Sequence, residues 1–95
     1  MFDRPASALR PAEFAAQARK RGVVLDRRTR LLYHGSSIGI NGEFATLQSA
    51  ARAKLRQLAD RRVMLPSPLR NGLLDHLYVW YCAGWLHIAA TPARR

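Results

Sequence analysis

The residues best equipped for acid–base or metal chemistry are scattered in this 95-residue chain. The histidines are His34, His76 and His87, 42 and 11 residues apart, and none has a ligand spacing such as His-x3-His. Asp75 and His76 are adjacent in a helical stretch, so their side chains diverge by roughly 100° and do not readily share a ligand. His76 reads as a partly buried side chain holding a hydrogen bond, and His34, next to Gly35, as a turn residue. Cys82 is the one cysteine and has apolar neighbours in Trp80, Tyr81 and Ala83, the setting of a buried, inert thiol. It leaves no partner for an internal disulfide or a cysteine-based zinc site. Gly35, Gly39 and Gly42 have hairpin spacing and no Lys-Ser or Lys-Thr follows them, so they form no phosphate loop. The six acids are dispersed, three of them beside arginines, and supply no paired carboxylates. These residues predict no enzyme, no metal, no cofactor and no small-molecule substrate.

The basic residues point elsewhere. Sixteen Lys+Arg against six Asp+Glu give a formal net charge of +10, and fourteen of the sixteen are arginine. Arginine suits phosphate because its planar guanidinium donates in a bidentate fork. The candidate nucleic-acid-binding residues are Arg52, Lys54, Arg56, Arg61 and Arg62 on one helical stretch, with Arg27, Arg28 and Arg30 in a turn. An arginine bias also arises from genome composition, and a solvated arginine helix is commonplace. Trp80, Tyr81 and Trp85 around Gly84 could stack on bases. Their helical spacing and the capping position of the glycine favour a place in the core.

The elements that must carry these residues follow from periodicity. Residues 1–10 read as a flexible leader, 11–90 as the domain and 91–95 as a basic tail. A helix starts at Pro11, with Glu13 in its first turn, Arg19-Lys20-Arg21 in its last and Gly22 just beyond. Val23-Val24-Leu25 is too short to classify. Asp26-Arg27-Arg28-Thr29 reads as a turn; the runs at 31–33 and 38–40 read as a hairpin of two short strands, with Asn41-Gly42 as a tight-turn pair. Apolar residues at helical spacing predict a helix over 46–62, capped by Thr46, and a second over about 69–83 with Gly84 as its stop. Residues 85–89 read as a short strand closing on the hairpin. No run approaches 18 apolar residues and the N-terminus lacks a signal-peptide core, so the expectation is a cytoplasmic protein that does not enter a membrane.

Four stretches in order carry a resemblance: 25–33 (Leu-Asp-Arg-Arg-Thr-Arg-Leu-Leu-Tyr), 40–43 (Ile-Asn-Gly-Glu), 58–62 (Leu-Ala-Asp-Arg-Arg) and 80–86 (Trp-Tyr-Cys-Ala-Gly-Trp-Leu). Together they resemble the C-terminal winged-helix-like domain of bacterial JmjC-type ribosomal oxygenases, the ribosomal-protein arginine hydroxylases, over about residues 24–88. The resemblance implies an accessory module. In that family the iron and 2-oxoglutarate site lies in a separate cupin barrel with a His-x-Asp…His triad. No His-x-Asp occurs here and 95 residues cannot hold the barrel, so the chain resembles the module standing alone, without the activity.

The expectation is therefore an α+β, winged-helix-like domain in the order helix, hairpin, helix, helix, strand. Its predicted core holds Phe14, Leu31, Ile40, Leu47, Leu55, Leu58, Leu73, Leu77, Trp80, Trp85 and Leu86. The expected function is a non-catalytic basic module binding nucleic acid or ribonucleoprotein through phosphate contacts. The alternative is a protein–protein interaction or dimerisation module, with a protein partner or a second copy.

Overall fold

A computed structural model describes residues 5, 8–34, 37–46, 49–66, 69 and 71–89. Helix α1 (Pro11–Arg21) leads into strand β1 (Val23–Leu25); β2 (Leu31–His34), β3 (Ser37–Ile40) and β4 (Glu43–Thr46) follow. Helix α2 (Ser49–Arg61), strand β5 (Val63–Met64), helix α3 (Asn71–Cys82) and strand β6 (Leu86–Ile88) complete the described elements. The strands form two antiparallel three-stranded sheets, β5-β1-β6 and β2-β3-β4.

Helix α1 begins and ends where its end residues dictate. Pro11 occupies the first turn, and the Glu13 carboxylate accepts a hydrogen bond from the Arg10 N–H at 3.3 Å. At the other end Gly22 takes φ +80°, and its N–H donates to the Ala18 carbonyl at 2.8 Å. A Cβ built on Gly22 would overlap the Met64 carbonyl oxygen, so glycine is required both for the backbone angle and for the close approach of β5. That glycine turns the chain directly from helix into β1.

The short run at 23–25 is the middle strand of a sheet. Val23, Val24 and Leu25 pair with Ile88, His87 and Leu86 on one side, and Val23 and Val24 pair with Met64 and Val63 on the other. The closing strand β6 therefore pairs with β1 and not with the hairpin. Its approach is set by Gly84 at φ +85°: the Gly84 N–H donates to the Tyr81 carbonyl at 3.0 Å and the Trp85 N–H to the Trp80 carbonyl at 2.9 Å. This pair of bonds is a Schellman end to α3, and it reverses the chain toward β1.

The predicted two-stranded hairpin is instead a three-stranded wing. Asn41 (φ +49°) and Gly42 (φ +89°) form the expected tight turn, but the chain then runs on as β4, pairing Ile40 with Glu43 and Gly39 with Phe44. Thr46 ends that strand and does not cap α2, which starts at Ser49. The inner face of the wing buries Leu31, Ile38 and Ile40. Helix α2 packs against β2 and contributes the fully buried Leu55 and Leu58. The rest of the core is Phe14, Ala18, Val23, Leu25, Met64, Leu69, Leu73, Leu74, Leu77, Trp80, Tyr81 and Leu86. Full burial of side chains such as Phe14 or Leu77 contributes about 1.5–3 kcal/mol each. Trp85 is half-buried against this core; Leu47 and the tail at 91–95 lie outside the described residues.

Candidate functional site

The turn at 26–29 and the C-terminal end of α2 meet. The Asp26 carboxylate accepts from the Arg28 backbone N–H at 3.0 Å, the Arg28 Nε at 2.9 Å and the Arg28 Nη2 at 3.3 Å, and its Oδ2 lies 3.0 Å from His87 Nε2 on β6. Hydrogen bonds from the Arg28 side chain and backbone, and from His87, hold this carboxyl well below the usual carboxylate range. Thr29 is buried, and its hydroxyl donates to the Trp85 carbonyl at 2.6 Å. Arg62, just past α2 at φ +61°, closes the arrangement: its Nη2 donates to the carbonyls of Asp26 at 2.8 Å and Thr29 at 3.0 Å. Its own carbonyl accepts from the Leu25 N–H at 3.0 Å. Arg28 and Arg62 thus hold the turn in place, and these two, like Arg27 and Arg30, are exposed.

Along α2 the predicted residues differ in setting. Arg56 and Arg61 are exposed, whereas Arg52 and Lys54 are half-buried. The Arg56 guanidinium carbon lies 5.1 Å from the Tyr33 ring centroid on β2, a cation–π contact, and the Tyr33 hydroxyl donates to the Asp60 carboxylate at 3.2 and 3.3 Å. Arg56 and Asp60, four residues apart on the helix, both grip one tyrosine of the wing. The structure therefore brings the helix cluster and the turn cluster to adjoining positions: Arg62 reaches the 26–29 turn and Arg56 reaches the strand that follows it. Two arginines of the first helix make internal bonds, Arg19 Nε and Nη2 donating to the Leu69 carbonyl at 3.0 and 2.8 Å and Arg21 Nε to Gln17 at 3.0 Å.

The aromatic cluster at the end of α3 faces inward. Phe14 lies 4.8 Å from the Tyr81 ring and 5.5 Å from Tyr78, Trp80 is buried, and His76 packs 5.9 Å from the Trp80 ring. Tyr78 donates to the Leu9 carbonyl at 2.8 Å, and the Leu9 N–H donates back to the Tyr81 hydroxyl at 3.0 Å, pinning the segment before α1 to α3. Cys82 is half-buried. Among the described residues no group of three His, Cys, Asp or Glu comes together to hold a metal, and no helix is long and apolar enough to cross a membrane.

Helices packed beside a three-stranded wing are shared with a known family, and a match over nearly the whole chain decides which one. Residues 1–87 match the family described as ROXA-like winged helix. The chain belongs to the ROXA-like winged-helix family. Solved structures share the fold: the ribosomal oxygenase YcfD from Escherichia coli superposes with a TM-score of 0.69 at 24% identity. The same protein in complex with cobalt and 2-oxoglutarate superposes with a TM-score of 0.70 at 23% identity. In both cases 90% of this chain is covered but only 25% of the other, so the winged-helix chain spans a quarter of the length of these relatives. None of the curated proteins matches the sequence.

The sequence pattern of this winged helix does not reveal the positions of Tyr33, Asp60 and His87. Tyr33 and Asp60 lie 27 residues apart, and Asp26 and His87 61, so no local pattern links them. Asp26-x-Arg28 carries a local signal, since an aspartate that accepts the N–H two residues on is an Asx turn.

Proposed function

We propose that this winged-helix domain is a non-catalytic cytoplasmic module that binds nucleic acid or ribonucleoprotein through phosphate contacts. One observation carries this reading: in a chain of net charge +10, the arginines of α2 and of the 26–30 turn adjoin, with Arg27, Arg30, Arg56 and Arg61 exposed. Such a surface draws polyanions by releasing their condensed counterions. Arg52 and Lys54 add charge from half-buried positions, and Arg28 and Arg62, also exposed, keep the turn in place.

Major-groove reading by α3, the usual role of the second helix of a helix-turn-helix, finds less support. That helix exposes Asp75 and Val79, and its His76 and Tyr78 are engaged with Trp80 and Leu9. Arg70 lies outside the described residues. Backbone contact without sequence reading fits this distribution better. The similarity to the winged-helix quarter of a ribosomal oxygenase supports a macromolecular partner, with catalysis left to a separate barrel in that family.

Tyr78 and Trp85 are half-buried against the core, so these two rings give little support to the protein-interaction alternative. Capture of the domain's partners from bacterial lysate with and without nuclease separates the two. Association that disappears with nuclease is the expected result; association that survives it favours a protein partner.

A further inference from the structure

The outer face of the wing holds a second kind of exposed group. The register pairs Leu32 with Gly39 and Gly39 with Phe44, so these three lie in one row across β2, β3 and β4. Strand alternation puts this row opposite the buried Leu31, Ile38 and Ile40. Leu32 is 70% exposed and Phe44 81% exposed. Gly39 is the reason the Phe44 ring lies where it does: a Cβ at Gly39 would come within 2.9 Å of Phe44 Cε1 and 3.2 Å of Cδ1. The ring rests on the glycine backbone and leaves its remaining surface to solvent. Arg30 is exposed and precedes Leu32 by two residues, so strand alternation carried one step beyond β2 directs it to the same face. The Arg30 carbonyl accepts from the Asn41 N–H at 2.9 Å and the Arg30 N–H donates to the Asn41 side-chain Oδ1 at 2.9 Å, which ties Arg30 to the turn at the end of the β2–β3 ladder. Glu43, opposite Ile40, belongs to the other face.

We infer that the outer face of the wing is a stacking platform for single-stranded nucleic acid, with Phe44 taking a base and Arg30 an adjoining phosphate. The inference rests on the phosphate-binding reading and deepens it by naming the strand state. Three features select the occupant. Net charge +10 and an arginine on the same face call for an anion. The apolar strip is two side chains wide across a glycine, which suits a planar ring; a stable protein interface needs an area of about 1,000 Å² or more. A base offers its π-face only when unstacked, so the ligand is single-stranded. Arg56, held over Tyr33 on β2, continues the positive charge around that strand's edge toward α2.

The plainer role for Phe44, covering a sheet glycine, makes a different prediction. The test uses the 95-residue chain with a short fluorescein-labelled oligouridine and a labelled duplex of equal length, read by anisotropy at about 50 mM salt. Stacking predicts that Phe44→Ala weakens single-strand binding about tenfold. It also predicts that duplex binding and the salt slope stay unchanged, since stacking moves no charge. Phe44→Trp, which retains a ring, is expected to restore binding, with its emission quenched by the uridine strand. Unchanged single-strand affinity in a folded Phe44→Ala, or no quenching in a bound Phe44→Trp, overturns the inference and leaves phosphate binding intact. If Phe44→Ala does not fold, the Phe44→Trp quenching decides alone. Absence of wild-type binding to either probe overturns both readings.

Discussion

The two sheets of this domain use aromatic residues and arginines in opposite ways. Around β5-β1-β6 the aromatic rings turn inward: Phe14 is clasped by Tyr78 and Tyr81, and Trp80 is buried beneath the turn at Gly84. The charges there pair within the molecule, with Arg28 on Asp26, Arg62 on two carbonyls and Arg19 on Leu69. On the wing β2-β3-β4 the outer ring is Phe44, 81% exposed, while Tyr33 shares the inner side with Ile38 and meets Arg56 and Asp60 of α2. The difference comes from layers. The first sheet is packed against helices α1 and α3, whereas only one face of the wing meets the core, so every second residue of its strands faces water. Ring count says little about binding; the inward rings lie on α1 and α3, which pack together, while Phe44 lies on the side of the wing turned from the core.

The largest effect is expected from the buried side. Trp80→Ala removes a nearly fully buried ring and should cost about 3–5 kcal/mol, a drop of more than about 12 °C in the thermal midpoint of a domain this size. Phe44→Ala on the wing should cost about 1 kcal/mol or less, because Phe44 makes only surface cross-strand interactions. Comparable destabilisation of the two variants, measured by thermal unfolding, would erase the contrast between the sheets.

Gly22→Ala comes next. It combines a left-handed backbone angle, a strain of about 1–2 kcal/mol, with overlap on the Met64 carbonyl, and should destabilise by about 2 kcal/mol or more in a denaturant titration. The matching change at Gly42, where φ is +89° but a Cβ would meet open space, should cost the backbone strain alone.

A smaller and pH-dependent effect is expected from Asp26→Asn. The folded-state carboxyl titrates below its unfolded value, so its stabilisation is complete above the unfolded pKa of about 3.9 and is lost as pH falls below it. The variant should be less stable by about 1–2 kcal/mol at pH 7, and the gap should narrow below about pH 4. A gap that widens toward acid would mean that Asp26 is held in its protonated form.

Much of this contrast is legible in the sequence on its helical side and little of it on the wing. The periodicity of Leu55, Leu58, Leu73 and Leu77 and the stops at Gly22 and Gly84 mark the helices, because capping and amphipathic spacing are local. The partner of β6 escapes a sequence reading because strand pairing is not local: β1 and β6 are joined by residues about 60 positions apart. Strand β4 is hidden because its one large apolar residue, Phe44, points to water, so no buried alternation marks it. Helical spacing puts Arg52 and Arg56 on one outward surface, one turn apart; Arg56 stands exposed there, but Arg52 is half-buried. The employment of Arg62 depends on a positive φ and on carbonyls more than 30 residues away, and no spacing rule reaches that far.

The most direct test of phosphate binding is the salt dependence of duplex affinity for the wild type and for Arg52→Glu with Arg56→Glu, both confirmed as folded by circular dichroism. About five phosphates neutralised predict a slope near −4.5 in a plot of log affinity against log salt. The double variant should bind at least tenfold more weakly at about 50 mM salt, with a slope shallower by about 0.9 for each phosphate that is no longer neutralised. A folded double variant with unchanged affinity and slope, or wild-type binding indifferent to salt, would contradict a phosphate-gripping role for this surface.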